Sequence, residues 1–539
     1  MTTTPPLEPR GTDREGADRG RPLRGGPGRE RAVRLALRGG SGLLVVALAG
    51  GAVAGATYLG VADPVAVAAV EVEVAPTPVA LQCAGPVVLP QRAQRGDAAF
   101  DPAPVAPVVT LDAVTSAAAG AGPLAVAPLG GGPAVDELGA GGGSVYVPAV
   151  GEPLLVRAQP QEVPPVVAAT SMSAVSAGDA RGLAAASCRA PGNDEWFVGG
   201  STAVGATATL VLTNPGLTPA QVELELFGPN GPVEASTTQH VVAPGTSKTV
   251  DLGGAAADQA ALVVHVTVTG GQVAAHVQDT AVRGFTPAGT DLVVPGTGPA
   301  TRQVVTAVVA PASEVGAPDA PALRLLAPGE ATTARVALLG PDGPVELPGA
   351  QEVVLAAGEV TDVPLGGLPA GPYTVVVDAG APLVAGAVVS ATGTPGELDD
   401  EPRVERAWSS ATPVGEHGVV ALPRRVRGAQ VVVGAVGQDV DDQGEGVGTL
   451  RVLGRSGEVL AEHRVRVDAG TTGAWAVADL ADEAAGVELE PTGGVPLAWG
   501  VALSVRQPDG NLVAVLDPVP VTGTSSALAV REDARSARG

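Results

Sequence analysis

The hexapeptide GPNGPV at residues 228–233 recurs as GPDGPV at residues 340–345, 112 residues further along the chain. Each copy contains a proline with a preset φ, a residue that tolerates turn geometry, and a glycine that is free to take a positive φ. Such a stretch between apolar segments is typical of the tight turn of a β-hairpin. The sequence therefore predicts two equivalent hairpins, separated by about the length of one domain.

The segments before the two turns alternate between apolar and polar residues. Their apolar positions are related by the same offset of 112 residues: Val222, Leu224 and Leu226 in the first copy, and Ala334, Val336 and Leu338 in the second. A period of two residues predicts half-buried strands. Both copies are thus expected to present the same strand face to a core.

A third and more diverged copy reads GTLRVLGRSGEV at residues 448–459. The copies end in LVVHVTVTGGQVAAHVQD, YTVVVDAGAPLVAGAVV and VELEPTGGVPLAWGVAL, each of which predicts a closing hairpin. Units of about 100 residues with six to eight short strands predict immunoglobulin-like sandwiches, although the Cys and Trp spacing of true immunoglobulins is absent. The expected fold class is mostly β, with three tandem immunoglobulin-like antiparallel β-sandwiches behind one N-terminal transmembrane helix.

The composition indicates aliphatic cores and an acidic exterior. The chain has 539 residues, of which 45% are hydrophobic and 2% aromatic, and its formal net charge is -24. A strongly acidic surface repels polyanions, so we expect no nucleic-acid partner.

An apolar segment near the N-terminus, GLLVVALAGGAVAGATYLGVA at residues 42–62, follows an Arg-rich stretch. As a helix it would span about 31 Å, the thickness of the hydrocarbon core of a bilayer. We predict a single-pass signal-anchor, with the N-terminus in the cytoplasm and the bulk of the chain outside. The tripeptide AVA at residues 66–68 leaves cleavage open, in which case the protein would be secreted.

These features predict a chain of seven segments. In order, they are a cytoplasmic tail (1–41), the anchor (42–62), a partly loose Ala/Pro/Gly-rich extracytoplasmic region tied by a disulfide (63–190), β-sandwich 1 (191–297), β-sandwich 2 (298–397), β-sandwich 3 (398–523) and a disordered tail (524–539).

The two cysteines, Cys83 and Cys188, would meet an oxidising environment outside the cytoplasm. We predict that they form a disulfide, which would fasten an edge strand near Cys83 to sandwich 1 and close a loop of about 105 residues.

Two motifs are weak candidates for metal ligands. If Gly270 and Gly271 formed a two-residue turn, His265 would face His276 across a hairpin and the pair could bind zinc or copper weakly. An ordinary polar strand face is the alternative interpretation. No cofactor is predicted.

The segment DVDDQGEGVGTL begins like a calcium-binding loop, with Asp439 and Asp441 at its first and third positions. The pattern then fails, because Leu450 stands where a bidentate glutamate is needed. A flexible acidic hairpin loop is the preferred interpretation.

The stretch CRAPGNDEWFVGGSTAVGATATLVLTNPG, followed by AQVELELFGPNGPV and VVAPGTSKTVDL, resembles the actinobacterial envelope family known as domain of unknown function 5719. The resemblance covers most of the chain after Cys83 and is firmest between Cys188 and Gly231. It implies an actinobacterial protein that is membrane-anchored or secreted, and it implies no catalytic residues.

The leading functional hypothesis is a structural or interaction protein of the cell envelope without enzymatic activity. It would be held by one helix in the membrane, with envelope proteins or glycans as its partners. The first alternative is a glycan-binding accessory to cell-wall or polysaccharide synthesis, with tryptophan rings as its platform. The second is an enzyme with a site between domains, which would need carboxylates or histidines from separate units to converge in a cleft.

Overall fold

A computed structural model describes residues 51, 70–73, 76–89, 107–117, 121–161, 163–347, 351–396, 400–437, 442–521 and 527–530. This part of the chain is mostly β, with antiparallel sheets. Apart from Gly51, the predicted anchor at 42–62 lies outside the described residues, and so do Asp439 and Asp441. No helix in the described part is long and apolar enough to cross a membrane.

The chain divides into two compact units, residues 73–528 and the two chain ends, 1–72 and 529–539. Strands β1 (Val70–Glu73) and β36 (Ala527–Val530) pair in a two-stranded sheet. The large unit contains every other strand described below.

The large unit consists of four groups of strands. The N-terminal sandwich contains β2 (Val79–Cys83), β3 (Val109–Thr115), β4 (Leu124–Pro128), β5 (Asp136–Leu138), β6 (Gly143–Val147), β7 (Leu154–Ala158), β8 (Val167–Val175) and β9 (Gly182–Ser187). Sandwich 1 contains β10 (Asp194–Val198), β11 (Ala206–Asn214), β12 (Ala220–Gly228), β13 (Gly231–Val233), β14 (Gln239–Val242), β15 (Thr246–Asp251), the one-turn helix α1 (Leu252–Ala255), β16 (Val263–Thr269), β17 (Ala274–Arg283) and β18 (Thr286–Val293).

The other two groups follow in the same way. Sandwich 2 contains β19 (Ala300–Ala310), β20 (Ala322–Leu326), β21 (Thr332–Gly340), β22 (Gly343–Val345), β23 (Glu352–Leu355), β24 (Val360–Pro364), β25 (Gly371–Pro395) and β26 (Pro402–Ser410). Sandwich 3 contains β27 (Gly418–Ala421), β28 (Gly428–Ala435), β29 (Glu445–Leu453), β30 (Val459–Asp468), β31 (Thr472–Ala476), α2 (Val477–Leu480), β32 (Gly486–Gly494), β33 (Leu497–Val505), β34 (Leu512–Leu516) and β35 (Val519–Pro520).

All four sandwiches share one topology. The first sheet has the order β2-β7-β4-β5 in the N-terminal sandwich, β10-β16-β12-β13 in sandwich 1, β19-β25-β21-β22 in sandwich 2 and β27-β32-β29-β30 in sandwich 3. The second sheet has the orders β6-β3-β8-β9, β15-β11-β17-β18, β24-β20-β25-β26 and β31-β28-β33-β34. The described chain therefore contains four structural repeats, one more than the sequence predicts.

Alternating side chains from both sheets of each sandwich meet in a shared aliphatic core. In sandwich 1, for example, Leu212 of β11 and Leu224 of β12 belong to one buried cluster, although they lie in different sheets. The predicted half-buried strands are therefore present, and each sheet buries one face of its alternating pattern.

The turns predicted at the two hexapeptides are present. Gly228 pairs with Gly231 across the first turn, and Gly340 pairs with Gly343 across the second. Gly231 has a φ of 110° and Gly343 a φ of 130°, a region that favours glycine. In the third copy, the amide of Gly454 donates to the carbonyl of Glu458 at 2.8 Å, so a hairpin turn forms there as well.

The predicted closing hairpins are wrong in all three copies. β16 and β17 lie in opposite sheets, as do β32 and β33, and the 25-residue β25 pairs in the first sheet with its first half and in the second with its second half. A hairpin and a crossover between sheets both turn alternate residues toward the core. Period-two patterning therefore cannot distinguish them.

Where it is described, the region 63–190 is more regular than the partly loose region that the sequence predicts, because β2 to β9 form a complete sandwich there. Its Ala- and Pro-rich segments contain short strands in which apolar and polar residues alternate too weakly for each strand to be recognised from the sequence. The boundary predicted between residues 397 and 398 also shifts, since β26 pairs with β25 and belongs to sandwich 2.

The repeated turns connect neighbouring repeats. A Cβ atom placed on Gly358 of sandwich 2 would lie 3.1 Å from Pro232 in the turn of sandwich 1, and one on Gly470 of sandwich 3 would lie 3.8 Å from Pro344 in the turn of sandwich 2. In the same way, Gly245 of sandwich 1 lies against residues 129–130 of the N-terminal sandwich. The turn of sandwich 3 returns to the N-terminal sandwich, because Gly457 accepts from the amide of Ala117 at 2.8 Å. The four turns thus make a closed cycle of contacts.

The disulfide between Cys83 and Cys188 is present, with 4.4 Å between the Cα atoms. Both residues are buried. Cys83 ends β2 and Cys188 follows β9, so the bond joins the two sheets of the N-terminal sandwich instead of fastening β2 to sandwich 1. Reciprocal backbone hydrogen bonds between Gln82 and Arg189 support the same junction.

Removal of this bond by the double substitution Cys83→Ala and Cys188→Ala should lower the free energy of unfolding by about 3–5 kcal/mol, because the unfolded chain regains the freedom of a long loop. Urea unfolding of both proteins, with and without reductant, measures the effect. The wild-type protein in reductant should match the variant in either condition. Identical midpoints for oxidised wild type and variant would show that the bond contributes nothing.

Candidate functional site at the junction of the four sandwiches

One edge strand from each sandwich meets the others at a central junction formed by β9, β18, β26 and β34. Among the described strands, each has a hydrogen-bonded neighbour on one side only, and their contacts run from β9 to β18, β26, β34 and back to β9. An edge strand carries unpaired backbone groups, which are costly to bury. The backbone groups of these four strands therefore need hydrogen-bond partners at the junction.

Side chains from other repeats satisfy several of these backbone groups. The amide of Leu183 in β9 donates to Glu405 Oε1 at 3.0 Å, and the amide of Trp408 in β26 donates to Asp291 Oδ2 at 2.7 Å. Ser187 Oγ donates to the carbonyl of Asp517 at 2.6 Å. Each bond connects two different sandwiches, so the edges are covered without forming a continuous sheet.

Arg181 is the central cation of the junction. It is 1% exposed. Its guanidinium donates to both carboxylate oxygens of Asp509, at 3.0 and 3.2 Å, and to the carbonyl of Gly510 at 2.9 Å. A further nitrogen lies 3.8 Å from Glu405 Oε2. One side chain therefore joins the N-terminal sandwich to sandwiches 2 and 3.

Three buried carboxyl groups accompany it: Asp279, Asp291 and Glu405. Asp279 and Asp291 are directly opposite each other on β17 and β18. Asp279 Oδ2 accepts from Trp408 Nε1 at 2.9 Å and lies 2.9 Å from Arg406 Nη2. Within the described residues, the second oxygen of each carboxyl group has no hydrogen-bond partner.

Burial raises the pKa of Asp291 and of Glu405 well above the ordinary carboxyl range. The negative charge of Asp279 raises the pKa of Asp291 further, and that of Asp291 does the same for Glu405. The guanidinium of Arg406 opposes both shifts. The folded protein consequently binds protons at this pair more strongly than the unfolded chain does.

Trp408 packs sandwich 2 against sandwich 1. It lies in β26 but belongs to the buried core cluster of sandwich 1. Arg324 covers its ring at 4.8 Å and donates to the carbonyl of Gly200 at 2.6 Å, while both oxygens of Asp362 accept from Arg324 at 2.8 Å. A side chain at Gly199 would collide with the Trp408 ring, so only glycine fits there.

The predicted pairing of His265 and His276 is wrong. His265 lies between Trp196 and Glu225 in the first sheet, whereas His276 pairs with Val211 in the second. The chain crosses between sheets at Gly270 and Gly271, so the two imidazoles do not face each other. Desolvation lowers the pKa of the buried His276 to about 4, so it is neutral at physiological pH.

His265 instead bridges two carboxylates on the flanking strands. Nδ1 lies 2.7 Å from Glu225 Oε2, and Nε2 lies 3.0 Å from Asp194 Oδ1. The ring stacks on Trp196 at a centroid distance of 3.9 Å. The described residues contain no group of three or more His, Cys, Asp or Glu side chains that could hold a metal ion.

The tryptophans mostly serve packing. Trp196, Trp408 and Trp499 are buried, and Trp475 is half-buried. Trp196 packs with residues of sandwich 2 such as Val360 and Val384. Three of the four rings are therefore unavailable as stacking platforms for a sugar.

No pattern in the sequence predicts the charged residues of the junction. Arg181 and Asp509 are separated by more than 300 residues, and no motif connects either of them with Glu405. The available signal is an ionisable residue inside an apolar strand pattern, as in TDLVV at residues 290–294 and VERAW at residues 404–408. Such a residue must be paired when it is buried.

The raised pKa values predict a pH dependence of stability. The contribution of Asp291 and Glu405 is fully present below their ordinary values of 3.8 and 4.5 and is lost as pH rises toward the folded values. The variant carrying Asp291→Asn and Glu405→Gln should therefore lose less stability than wild type as pH rises from 4.5 upward. Urea midpoints across that range measure the difference.

Asp509 provides a control of opposite sign. Partial burial acts to raise its pKa, but the hydrogen bond and the charge of Arg181, the hydrogen bond from its own backbone amide and the charge of Arg403 together outweigh burial and lower it. Asp509→Asn should therefore destabilise the protein at neutral pH and have little effect in acid. Parallel pH profiles for the double variant and wild type would contradict the raised pKa values of Asp291 and Glu405.

Comparison with known proteins places the chain in a family. Residues 145–478, more than half of the chain, match the family of unknown function DUF5719. No curated protein matches at a significant level. A solved structure titled "Biofilm associated protein - BSP domain" aligns over 77% of this chain and 90% of its own at 10% identity, with a TM-score of 0.12, a likeness too low to carry an argument. The resemblance seen in the sequence is thus confirmed, and the chain belongs to the DUF5719 family.

Proposed function

We propose that the protein is a membrane-anchored structural component of the actinobacterial cell envelope, and that its four sandwiches act as one stiff extracytoplasmic body. The immunoglobulin-like class of the sandwiches, the anchor at 42–62 and the envelope location are parts of this proposal. The observation that carries it is the central junction, where edge strands from all four repeats are covered and held by buried ion pairs.

The junction suits a mechanical role better than a chemical one. Carboxyl groups from separate repeats converge there, as an enzyme between domains would require. They are 0–2% exposed, however, and bound by arginines, tryptophan and backbone amides of neighbouring repeats. A substrate could reach them only after the sandwiches separate. The same groups make the relative position of the repeats specific.

A complementation assay in a strain that lacks the protein tests the structural role. Trp408→Ala should destabilise the chain by about 3–5 kcal/mol, because a buried ring is removed from the core of sandwich 1, and it should fail to restore the envelope. Trp475→Ala, at a half-buried position, is the matched control and should complement. Alanine variants of exposed ionisable residues should complement as well. A failing surface variant with an unchanged unfolding midpoint would instead indicate a binding or catalytic function.

The orientation is tested with single introduced cysteines, since both native cysteines are bonded. Val204→Cys, at a position 99% exposed, should react with a membrane-impermeant maleimide in intact cells. Thr3→Cys in the N-terminal tail should react only after lysis. Protection of Val204→Cys in intact cells would refute the extracytoplasmic location, and its recovery from the medium would indicate that the anchor is cleaved.

A further inference from the structure

A cavity of about 260 Å³ lies between sandwich 2 and sandwich 3. Its wall on the side of sandwich 2 is formed by β19, the second half of β25 and β26, and its wall on the side of sandwich 3 by β28, β33 and β34. Ala307, Val389 and Ala407 line the first wall and belong to the buried core cluster of sandwich 2. The cavity is therefore an extension of that aliphatic core.

The side chains that sandwich 3 adds to this core are small. In the preceding contact, β26 of sandwich 2 inserts the ring of Trp408 into the core of sandwich 1. In this contact, the corresponding edge strand β34 adds only Val513 and Val515 to the core of sandwich 2. Both valines line the cavity. Protein cores seldom leave voids larger than a water molecule, so the space is suited to another molecule.

The backbone of β19 is distorted at the same wall. Its pairing with β25 shifts by one residue between Val305 and Val308, which makes a β-bulge. Within the bulge, the buried Ala307 has a φ of 55°, in the left-handed region that favours glycine. The equivalent pairs β2–β7, β10–β16 and β27–β32 show no shift. Strain of this kind clusters at functional sites, so the bulge is a second feature that sets this wall apart.

The rim of the cavity on the side of sandwich 3 is polar. Gln430 lies on the same face of β28 as Val432, which packs in the core of sandwich 2, and Ser504 lies on the same face of β33 as Gly500, which approaches β19. Asn511 completes the rim. The side chains of Gln430, Ser504 and Asn511 have no hydrogen-bond partner within the described part of the chain. Among the described residues, no ionisable side chain lines the cavity.

We propose that this cavity binds the alkyl chain of an uncharged amphiphile, with the polar group of the ligand at Gln430, Ser504 and Asn511. The apolar walls hold the chain by the hydrophobic effect, and the amide and hydroxyl groups of the rim hydrogen-bond its polar end. Since a cavity of about 150 Å³ binds benzene, this one accommodates about ten carbon atoms.

The uncharged lining selects against an ionised ligand, because a charged group would lose hydration there without gaining an ion-pair partner. The inference does not depend on the structural role proposed above.

Photoaffinity labelling of the full chain with a diazirine analogue of 1-octanol tests the site. Peptides that contain the cavity walls, at residues 307–311, 389–391 and 513–515, should carry the label, and an excess of 1-octanol should compete for them. Octanoate should compete about tenfold less well, because its carboxylate is ionised.

Two variants change the cavity in different ways. Ala502→Leu fills it from β33 and should reduce labelling of the wall peptides about tenfold. Gln430→Ala with Ser504→Ala removes hydrogen-bonding groups from the rim and should weaken competition by 1-octanol about tenfold. Ala206→Leu, at another half-buried strand position outside the cavity, is the control and should keep labelling within about twofold. All three proteins should keep the wild-type unfolding midpoint, since the replaced side chains are only half-buried.

Equal labelling of the wall peptides in wild type and Ala502→Leu would overturn the proposal, as would equal competition by 1-octanol and octanoate. An equal loss of labelling in Ala206→Leu would show that the signal does not come from the cavity. If Ala502→Leu lowers the unfolding midpoint, the rim variant decides, because unchanged competition in that folded protein would contradict the assigned position of the polar group.

Discussion

The structure depends on one constraint, the need to cover the open edges of β-sheets. Each repeat is a pair of four- or five-strand sheets, and each second sheet would expose β9, β18, β26 or β34 along one edge. An exposed edge invites pairing with another chain. This protein places the four edges against one another and satisfies several of their backbone groups with side chains such as Glu405 and Asp291. The repeats are consequently bound together instead of being strung along flexible linkers.

Burying charge at the junction costs free energy, since ions lose their hydration. The cost is offset by short hydrogen bonds and by the bidentate pair of Arg181 and Asp509. Hydrophobic contacts also hold the sandwiches together, since Trp408 of sandwich 2 is inserted into the core of sandwich 1. We ascribe the stability of the contacts between sandwiches mainly to the apolar side chains. The polar groups mainly set the relative position of the sandwiches, because hydrogen bonds depend strongly on direction.

The equivalent contacts between neighbouring sandwiches explain why the chain repeats the GPNGPV motif. The turn of one sandwich rests against a glycine loop of the next, and the glycines at 245, 358 and 470 have φ values of 65°, 76° and 74°. A tight turn and a loop without side chains allow close approach, so the same short motif serves the same contact more than once. Divergence appears where the cycle closes, since the third turn carries an arginine and meets the N-terminal sandwich.

The sequence by itself determined the alternating strands of the three recognised copies, the repeated turns, the disulfide partners and the family. These depend on local rules: a period of two residues, proline and glycine at fixed turn positions, and two cysteines with only each other to bond. It did not decide which strands share a sheet, because hairpins and crossovers have the same alternation. It also concealed the N-terminal repeat, whose alternation is weak. The junction was decided only by tertiary structure: Arg181, Asp291, Glu405 and Asp509 come from four repeats, and their proximity arises from long-range packing that no local pattern records.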